Sequence, residues 1–150
     1  MKQLLNISEA SSIAIHCFGM LVKKGEPMTI AEMSSLTSFS KNHMAKVLQT
    51  LTKHNYLGST RGPKGGFYLN KKPSEITFLE IFELIEGKIE HLPCGVEDET
   101  CPFEVCIYGD AFYRLTQEFK NFYQNRTMND LIREENEFKK YIHEKTNNKN

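Results

Sequence analysis

The sequence lacks any apolar run long enough to cross a membrane, and it has no net charge. Its longest apolar run near the amino end, Ile13-Ala14-Ile15, stops at His16, whereas a membrane-spanning helix needs about 20 residues. No basic segment followed by an apolar segment, the pattern of a secretory signal, precedes this run. The sequence therefore predicts a cytoplasmic protein with no membrane partner.

Cysteine is scarce, and no two cysteines form the C-x₂-C pair that is typical of structural zinc sites. The four cysteines are Cys17, Cys94, Cys101 and Cys106. Because a reducing compartment disfavours disulfides, the last three predict a metal site or reduced thiols. An enzyme with Cys94 or Cys101 as nucleophile is disfavoured, since His91 has no evident orienting partner and no α/β pattern predicts a pocket.

The length and composition are those of an ordinary soluble domain. A chain of 150 residues can bury one core and carry an appended helix or two. Residues 1–70 hold 8 Lys and Arg against 3 Asp and Glu, and residues 71–150 hold 11 against 16. The front half is therefore basic by five charges and the back half acidic by five, which favours nucleic-acid binding by the front half.

Residues 29–69 contain two helix patterns, a tight connection and a glycine-rich hairpin. Thr29 and Glu32 have the spacing of a capping box, and the second helix is predicted to begin near Ser40. Apolar residues of the second helix recur at i, i+3, i+4 and i+7, at Met44, Val47, Leu48 and Leu51. This order predicts a winged helix-turn-helix, a mainly α fold with a small β-hairpin wing.

The opposite face of the second helix and the tip of the hairpin carry polar and cationic side chains. Amides and lysines on such a helix suit base edges and phosphates. For the helix face alone, the alternative is an ordinary solvated face, and for the hairpin tip alone it is an ordinary turn. We expect Asn42, His43 and Lys46 at the major groove, Ser40 and Lys41 at phosphates, and Arg61 and Lys64 at the minor groove.

Two further helices complete a predicted DNA-binding domain over residues 1–87. The first covers residues 7–23, with Ser8 as its N-cap and Cys17 on its apolar stripe. A free thiol in that position is expected to behave as a small buried hydrophobe. A capping box and a terminal glycine bound the other helix, over residues 77–87, whose predicted apolar stripe is Leu79, Phe82 and Ile85.

A long helix begins near residue 110 and carries a stripe of large apolar side chains. The stripe recurs at intervals of 4, 3, 4 and 3 and consists of Tyr108, Phe112, Leu115, Phe119 and Phe122. A period near 3.5 favours packing against another helix, so residues 110–132 are predicted to be a dimerisation helix and a short helix. The alternative is a helix folded back on its own domain. Residues 133–150 are predicted to be a C-terminal helix and tail.

Residues 88–109 lose helical periodicity and contain the three clustered cysteines. Cys94, Cys101 and Cys106 are separated by six and four residues. Wide single spacings suit a loop around an iron–sulfur cluster better than a structural zinc, although zinc and three reduced thiols are alternatives. Three thiolates leave a fourth position, for which the candidates are His91, Glu9, Glu104 and Asp110.

The chain resembles the Rrf2 family of bacterial transcription regulators in three segments and a short motif. The segments are SKNHMAKVLQTL (Ser40–Leu51), RGPKGGFYL (Arg61–Leu69) and ITFLEIFELIEG (Ile76–Gly87), and the motif is TMNDLI (Thr127–Ile132). The cysteine loop lies where that family has its cluster-binding loop. Within the family, Lys41 to Val47 is most similar to the nitric-oxide-sensing NsrR-like repressors.

That resemblance implies a homodimer on a palindromic DNA operator, with an iron–sulfur cluster sensitive to oxygen or nitric oxide. The histidine ligand of IscR-like members is replaced by Gly109, and their acidic base-contacting residue by Ala45. NsrR-like members use a carboxylate from the partner's first helix, and Glu9 stands at the matching place. The metal ligands implied are Cys94, Cys101, Cys106 and Glu9. The cysteine spacing fits neither branch closely, so both [4Fe-4S] and [2Fe-2S] remain open.

Overall fold

The computed structural model describes residues 7–90 and 101–132, which form helices and one antiparallel hairpin. The α-helices are α1 (Glu9–Lys24), α2 (Ile30–Ser35), α3 (Lys41–Lys53), α4 (Phe78–Glu86) and α5 (Ala111–Gln124). The strands are β1 (Leu57–Thr60) and β2 (Gly66–Leu69), and 3₁₀ helices cover Pro73–Glu75 and Met128–Ile132. The predicted mainly α fold with a hairpin wing is confirmed.

The helix ends follow local capping signals. Ser8 caps α1 by accepting a hydrogen bond from the backbone N–H of Ser11 at 3.1 Å. The predicted start at residue 7 was therefore two residues early. Gly25 ends α1 with a φ of 70°, in the left-handed region that favours glycine.

The helix-turn-helix forms as the sequence predicts. Thr29 and Glu32 make both bonds of the capping box at the start of α2, and Ser40 caps α3. An ion pair with Lys24 and hydrogen bonds from Thr29 lower the pKa of Glu32 to about 2. The four predicted apolar residues of α3 are all buried: Met44, Val47, Leu48 and Leu51. One face of α3 is therefore fixed to the core, and the other faces outward.

The wing is attached to the segment that precedes α2. Strands β1 and β2 pair with Leu57 opposite Leu69 and Thr60 opposite Gly66. Met28 bridges to Phe67 through two hydrogen bonds, with N···O distances of 3.0 and 2.8 Å. Strand β2 is thus hydrogen-bonded on both of its sides, to β1 and to Met28.

Helix α4 carries buried residues that its predicted stripe only partly included. Ile81 and Phe82 are buried, whereas Leu79 and Ile85, which we had placed on the stripe, are half-buried. The prediction missed Ile81 because it centred the apolar stripe one position later, on Phe82. The face centred on Ile81 packs against α1 in the common core.

Helix α5 folds back onto α4 along one of its faces. The ring of Phe119 contacts that of Phe82 at 5.2 Å between centroids and stacks on Tyr123 at 4.2 Å. The chain then returns to the core, where the N–H of Met128 donates to the carbonyl of Ile76 at 2.9 Å. Met128 is fully buried. The short motif after α5 is therefore part of the core of the DNA-binding half.

Within residues 7–90 and 101–132, the helices are too short or too polar to span a membrane. The predicted C-terminal helix over residues 133–150 falls beyond the described ranges. The same holds for His91 and Cys94.

Candidate nucleic-acid interface and cysteine loop

The outward face of α3 presents the polar side chains that the sequence places there. Lys41, Asn42 and Lys46 are exposed, while His43 between them is half-buried. These residues occupy the first two turns of a helix whose opposite face is in the core. In helix-turn-helix proteins, the first residues of the recognition helix contact base edges, so this surface has the required form.

Ser40 has a structural task in addition to its predicted contact with phosphate. Its Oγ accepts a hydrogen bond from the backbone N–H of His43 at 3.2 Å, as an N-cap does. A hydroxyl can accept and donate at once, so its hydrogen can still be directed at a phosphate oxygen.

His43 is bonded to the first residue of α1. Its Nδ1 lies 2.7 Å from Oε2 of Glu9, 34 positions away in the chain. About 35% of the His43 side chain and 59% of the Glu9 side chain is exposed to solvent. The structure thus joins a predicted metal ligand to a predicted DNA-contacting residue of the same protomer.

A second carboxylate fixes the first turn of α1. Glu86, the last residue of α4, accepts hydrogen bonds from the hydroxyls of Ser8 and Ser11 and from the N–H of Ser8. Ser11 is fully buried. Burial opposes ionisation of Glu86, but the hydrogen bonds from Ser11 and Ser8 outweigh it and lower the pKa of this carboxyl. The turn from which Glu9 projects is therefore tied to the end of α4.

The wing tip is cationic and exposed. Arg61 and Lys64 are both exposed, and they flank a tight turn closed by a hydrogen bond from the N–H of Gly65 to the carbonyl of Gly62 at 2.9 Å. Gly62 has a φ of 110°, which side-chain-bearing residues rarely adopt. The tip can therefore approach a phosphate backbone closely with two cations beside it.

The described cysteines differ in environment. Cys17 is fully buried in α1, and burial raises the pKa of its thiol to about 12, so it cannot supply a thiolate near neutral pH. This burial confirms the prediction that Cys17 behaves as a small buried hydrophobe. Cys101 is half-buried and Cys106 exposed, and neither is in a disulfide.

The described part of the chain supplies only some of the predicted metal ligands. Cys101, Cys106 and the Glu9 carboxylate are accessible, but within residues 7–90 and 101–132 no three His, Cys, Asp or Glu side chains form a group that could hold a metal ion. The other described candidates for the fourth position are Glu104, which is exposed, and Asp110, which pairs with Arg114 at 3.1 Å. These residues alone do not assemble a complete cluster site.

One part of the predicted apolar stripe of α5 packs against α4, and another part is exposed. Phe119 lies against α4, as the alternative of a folded-back helix requires. Leu115 and Phe122 are 42% and 50% exposed, and Tyr108, just before the helix, is 45% exposed. The part of the chain that the structure describes therefore leaves an apolar edge of α5 exposed.

Some residues that hold these surfaces were missed by the sequence reasoning. Glu86 and Ser11 lie 75 positions apart, and no local pattern connects them. Met128 and Leu131 had a signal, since two apolar residues at i, i+3 follow Thr127, whose N–H and hydroxyl bond Asp130 at 2.8 and 3.1 Å. We had assigned this motif a short helix but no place in the core.

A helix-turn-helix with an exposed polar recognition face and a cationic wing defines a winged-helix DNA-binding protein. The chain belongs to the Rrf2 family, described as "Iron-dependent Transcriptional regulator", whose profile matches residues 7–134. The protein is thus a DNA-binding transcriptional regulator of that family. The match does not separate the NsrR-like members from the others.

Similar proteins support the same assignment. A helix-turn-helix-type transcriptional regulator of Aquifex aeolicus is 28% identical over 106 residues, which are 69% of this chain and 74% of that protein. The chain also resembles the solved structure of CymR, the global cysteine regulator of B. subtilis, with a TM-score of 0.73 and 23% identity, covering 85% and 96% of the two chains. IscR of T. potens has a TM-score of 0.68 and 16% identity, covering 86% and 87%. These two structural likenesses show the shared fold.

Proposed function

We propose that the protein is a dimeric cytoplasmic repressor that binds a palindromic DNA operator and senses nitric oxide or redox state through an iron–sulfur cluster. The observation that carries the DNA-binding part is the outward face of α3, with Lys41, Asn42 and Lys46 exposed opposite a fully buried apolar face. This face would enter the major groove, with Asn42, His43 and Lys46 toward the bases. Ser40 and Lys41 would contact phosphates, and the wing's Arg61 and Lys64 would lie at the minor groove.

The proposed cluster ligands are the three loop cysteines and Glu9 of the other chain. Support comes from the accessibility of Cys101 and Cys106 and from the exposed Glu9 carboxylate, and Cys94 completes the set by its sequence position. When bound, a cluster with one non-cysteine ligand would supply an iron that a small reactive molecule can reach. The chain's own residues set that ligand's position, since Glu86 holds the first turn of α1.

The bond between Glu9 and His43 suggests how a signal would reach the DNA. Oε2 of Glu9 lies 2.7 Å from Nδ1 of His43 on α3. A change in the position of the Glu9 carboxylate would therefore reach the recognition helix through this contact. A sensor needs such an element with two arrangements, one for each signalling state.

The test uses protein purified without oxygen, with Cys106→Ser and Cys17→Ala as a matched pair. We expect a brown wild type in which iron and sulfide are equimolar, a colourless Cys106→Ser variant and a brown Cys17→Ala variant. DNA binding is measured on the duplex that the wild type selects from a random library, before and after nitric oxide. Iron retained by Cys106→Ser would contradict the ligand set, and failure to select any duplex would contradict the DNA-binding assignment.

A second candidate is a cluster-free regulator that responds through zinc or thiol redox chemistry. It is favoured by the accessible, unpaired thiols of Cys101 and Cys106. The same preparation distinguishes it, because the protein would be colourless. It would then contain zinc, or its DNA binding would change on oxidation and be restored by a thiol reductant. An IscR-like regulator of cluster biogenesis is less favoured, since Gly109 and Ala45 replace residues expected of that branch.

A further inference from the structure

The outward face of α3 continues past the residues proposed to contact bases, and Gln49 is exposed on that continuation. Gln49 follows Asn42 by seven positions, which is about 20° short of two full turns, so both side chains project from the same side of the helix. Lys46 lies between them and is also exposed. The outward face therefore presents two amide groups, two turns apart.

The amide of Gln49 has no structural task in the part of the chain that the structure describes. No described residue forms a hydrogen bond or an ion pair with this side chain. The next residue differs, because the hydroxyl of Thr50 donates to the carbonyl of Lys46 at 3.1 Å. Both the donor and the acceptor of the Gln49 amide are therefore available to a ligand.

The residue between the two amides allows the helix to approach DNA closely. Ala45 is half-buried and has only a methyl group as its side chain. Asn42, Ala45, Lys46 and Gln49 stand at i, i+3, i+4 and i+7, the spacing with which the recognition helix of a homeodomain contacts bases. A recognition helix comes closest to the bases at its N-terminal end. Glutamine is one methylene longer than asparagine, so it can reach the bases from further along the helix.

A primary amide is complementary to adenine. It donates through its nitrogen and accepts through its oxygen, and adenine offers the N7 acceptor beside the N6 amino donor in the major groove. Guanine offers two acceptors there, so it cannot satisfy the oxygen of the amide. From this arrangement we infer that Gln49 is a specificity-determining residue that contacts an adenine in each half-site, donating to N7 and accepting from the N6 amino group.

The inference rests on the proposed entry of α3 into the major groove, and it predicts where the adenine lies. Seven residues of α-helix rise about 10 Å, and successive bases of a strand are about 3.4 Å apart. The adenine should therefore lie about three base pairs from the base that Asn42 contacts.

The test compares the base preferences of the wild type, Asn42→Ala, Gln49→Ala and Gln49→Glu on duplexes selected from a random library. Gln49→Ala should lose a preference for adenine, by at least about fivefold, at one position of each half-site. Asn42→Ala should instead change the preference about three base pairs away. Gln49→Glu keeps an acceptor but loses the donor, so its preference at the Gln49 position should change from adenine to cytosine, whose N4 amino group donates.

Gln124→Glu makes the same change of charge at an exposed position of α5 and should keep the adenine preference. Affinity ratios are compared within each variant, so a general loss of affinity cancels. A duplex with 7-deazaadenine at that position lacks the N7 acceptor; it should weaken the wild type and leave Gln49→Ala unchanged.

Two results would overturn the inference. Equal weakening of all duplexes by Gln49→Ala would assign the amide to phosphate, and adenine preferences kept at every position by Gln49→Ala would remove it from base recognition. A wild type that selects no duplex would instead refute the proposed function itself.

Discussion

Lys46 and Lys53 are both exposed on α3 but stand at different distances from its start. Lys46 follows the first turn, where recognition helices contact bases, and Lys53 is the last residue of the helix. We expect Lys46→Ala to weaken binding to the selected duplex by about 1–3 kcal/mol if the side chain contacts a base. A contact with phosphate would instead weaken all duplexes alike and reduce the salt dependence of binding.

Lys53→Ala is the matched control and should change affinity much less than Lys46→Ala. Both variants keep the buried face of α3, so their thermal unfolding should match that of the wild type. Titrations at several salt concentrations, on the selected and a scrambled duplex, measure both effects. Equal affinities of Lys46→Ala and wild type on both duplexes would remove this residue from the interface.

Residue contacts were predictable from the sequence where the partners are close in the chain. The bonds of Thr29 with Glu32 and of Thr77 with Glu80 span three positions, and both capping boxes formed. The bond of Glu9 with His43 spans 34 positions and that of Ser11 with Glu86 spans 75. Such pairs depend on how α1 packs against α3 and α4, which no local spacing specifies.

At the scale of single elements, the wing depends on Gly66, the first residue of β2, which lies opposite Thr60 at the end of β1. Gly66 has a φ of 147°, and a Cβ placed on it would lie 2.6 Å from the backbone carbonyl carbon of Met28. We expect Gly66→Ala to lower the free energy of unfolding by about 1–3 kcal/mol, because it combines backbone strain with a clash that separates β2 from Met28.

Gly62→Ala provides the comparison. Gly62 also has a positive φ, of 110°, but a Cβ there would meet no atom within 4 Å. Its substitution should therefore cost backbone strain alone and destabilise less than Gly66→Ala. Urea unfolding followed by circular dichroism measures both variants. A larger loss for Gly62→Ala would mean that the contact with Met28 does not hold the wing.

Elements with a strong pattern were predicted almost to their ends, and those that depend on tertiary contacts were not. Helix α3 began beside its predicted cap because Ser40 and the apolar spacing agree. The 3₁₀ helix Met128–Ile132 was expected as a short helix, but its burial in the core was not. Its packing requires α5 to return the chain to α1, which only the assembled fold reveals.

At the scale of the whole molecule, the uncovered edge of α5 is where a second copy is expected to bind. Leu115 and Phe122 are exposed on this edge, while Phe119 is committed to α4. A Leu115→Glu, Phe122→Glu double variant would place two carboxylates in an apolar interface. We expect it to be monomeric at concentrations at which the wild type is a dimer, because buried unpaired charge is strongly unfavourable.

Gln124→Glu adds a carboxylate to an exposed position of α5 away from this edge and should leave the dimer intact. Sedimentation equilibrium measures association, and circular dichroism checks that the helices remain. A double variant that still dimerises would place the interface elsewhere. Unfolding of that variant would instead mean that the two side chains stabilise the single chain.

The fold of the DNA-binding half was predictable because its signals repeat in successive elements. Which stripe residues of α5 pack against α4 was not predictable, because the apolar stripe is one continuous pattern in the sequence. Only the positions of Phe82 and Tyr123 show that Phe119 packs against α4. Among the other stripe residues, Leu115 and Phe122 stay exposed.

The two ends of the cysteine-containing segment are anchored to the same core. On one side, Lys120 of α5 donates to the carbonyl of Ile89 at 2.9 Å, and Glu86 holds α1. On the other, Met128 and Leu131 return α5 to the core. Because these anchors are formed by residues outside positions 91–100, we expect insertions or deletions between them to change the stability of the DNA-binding half little. The chemistry of the signal could then change in evolution while DNA recognition is kept.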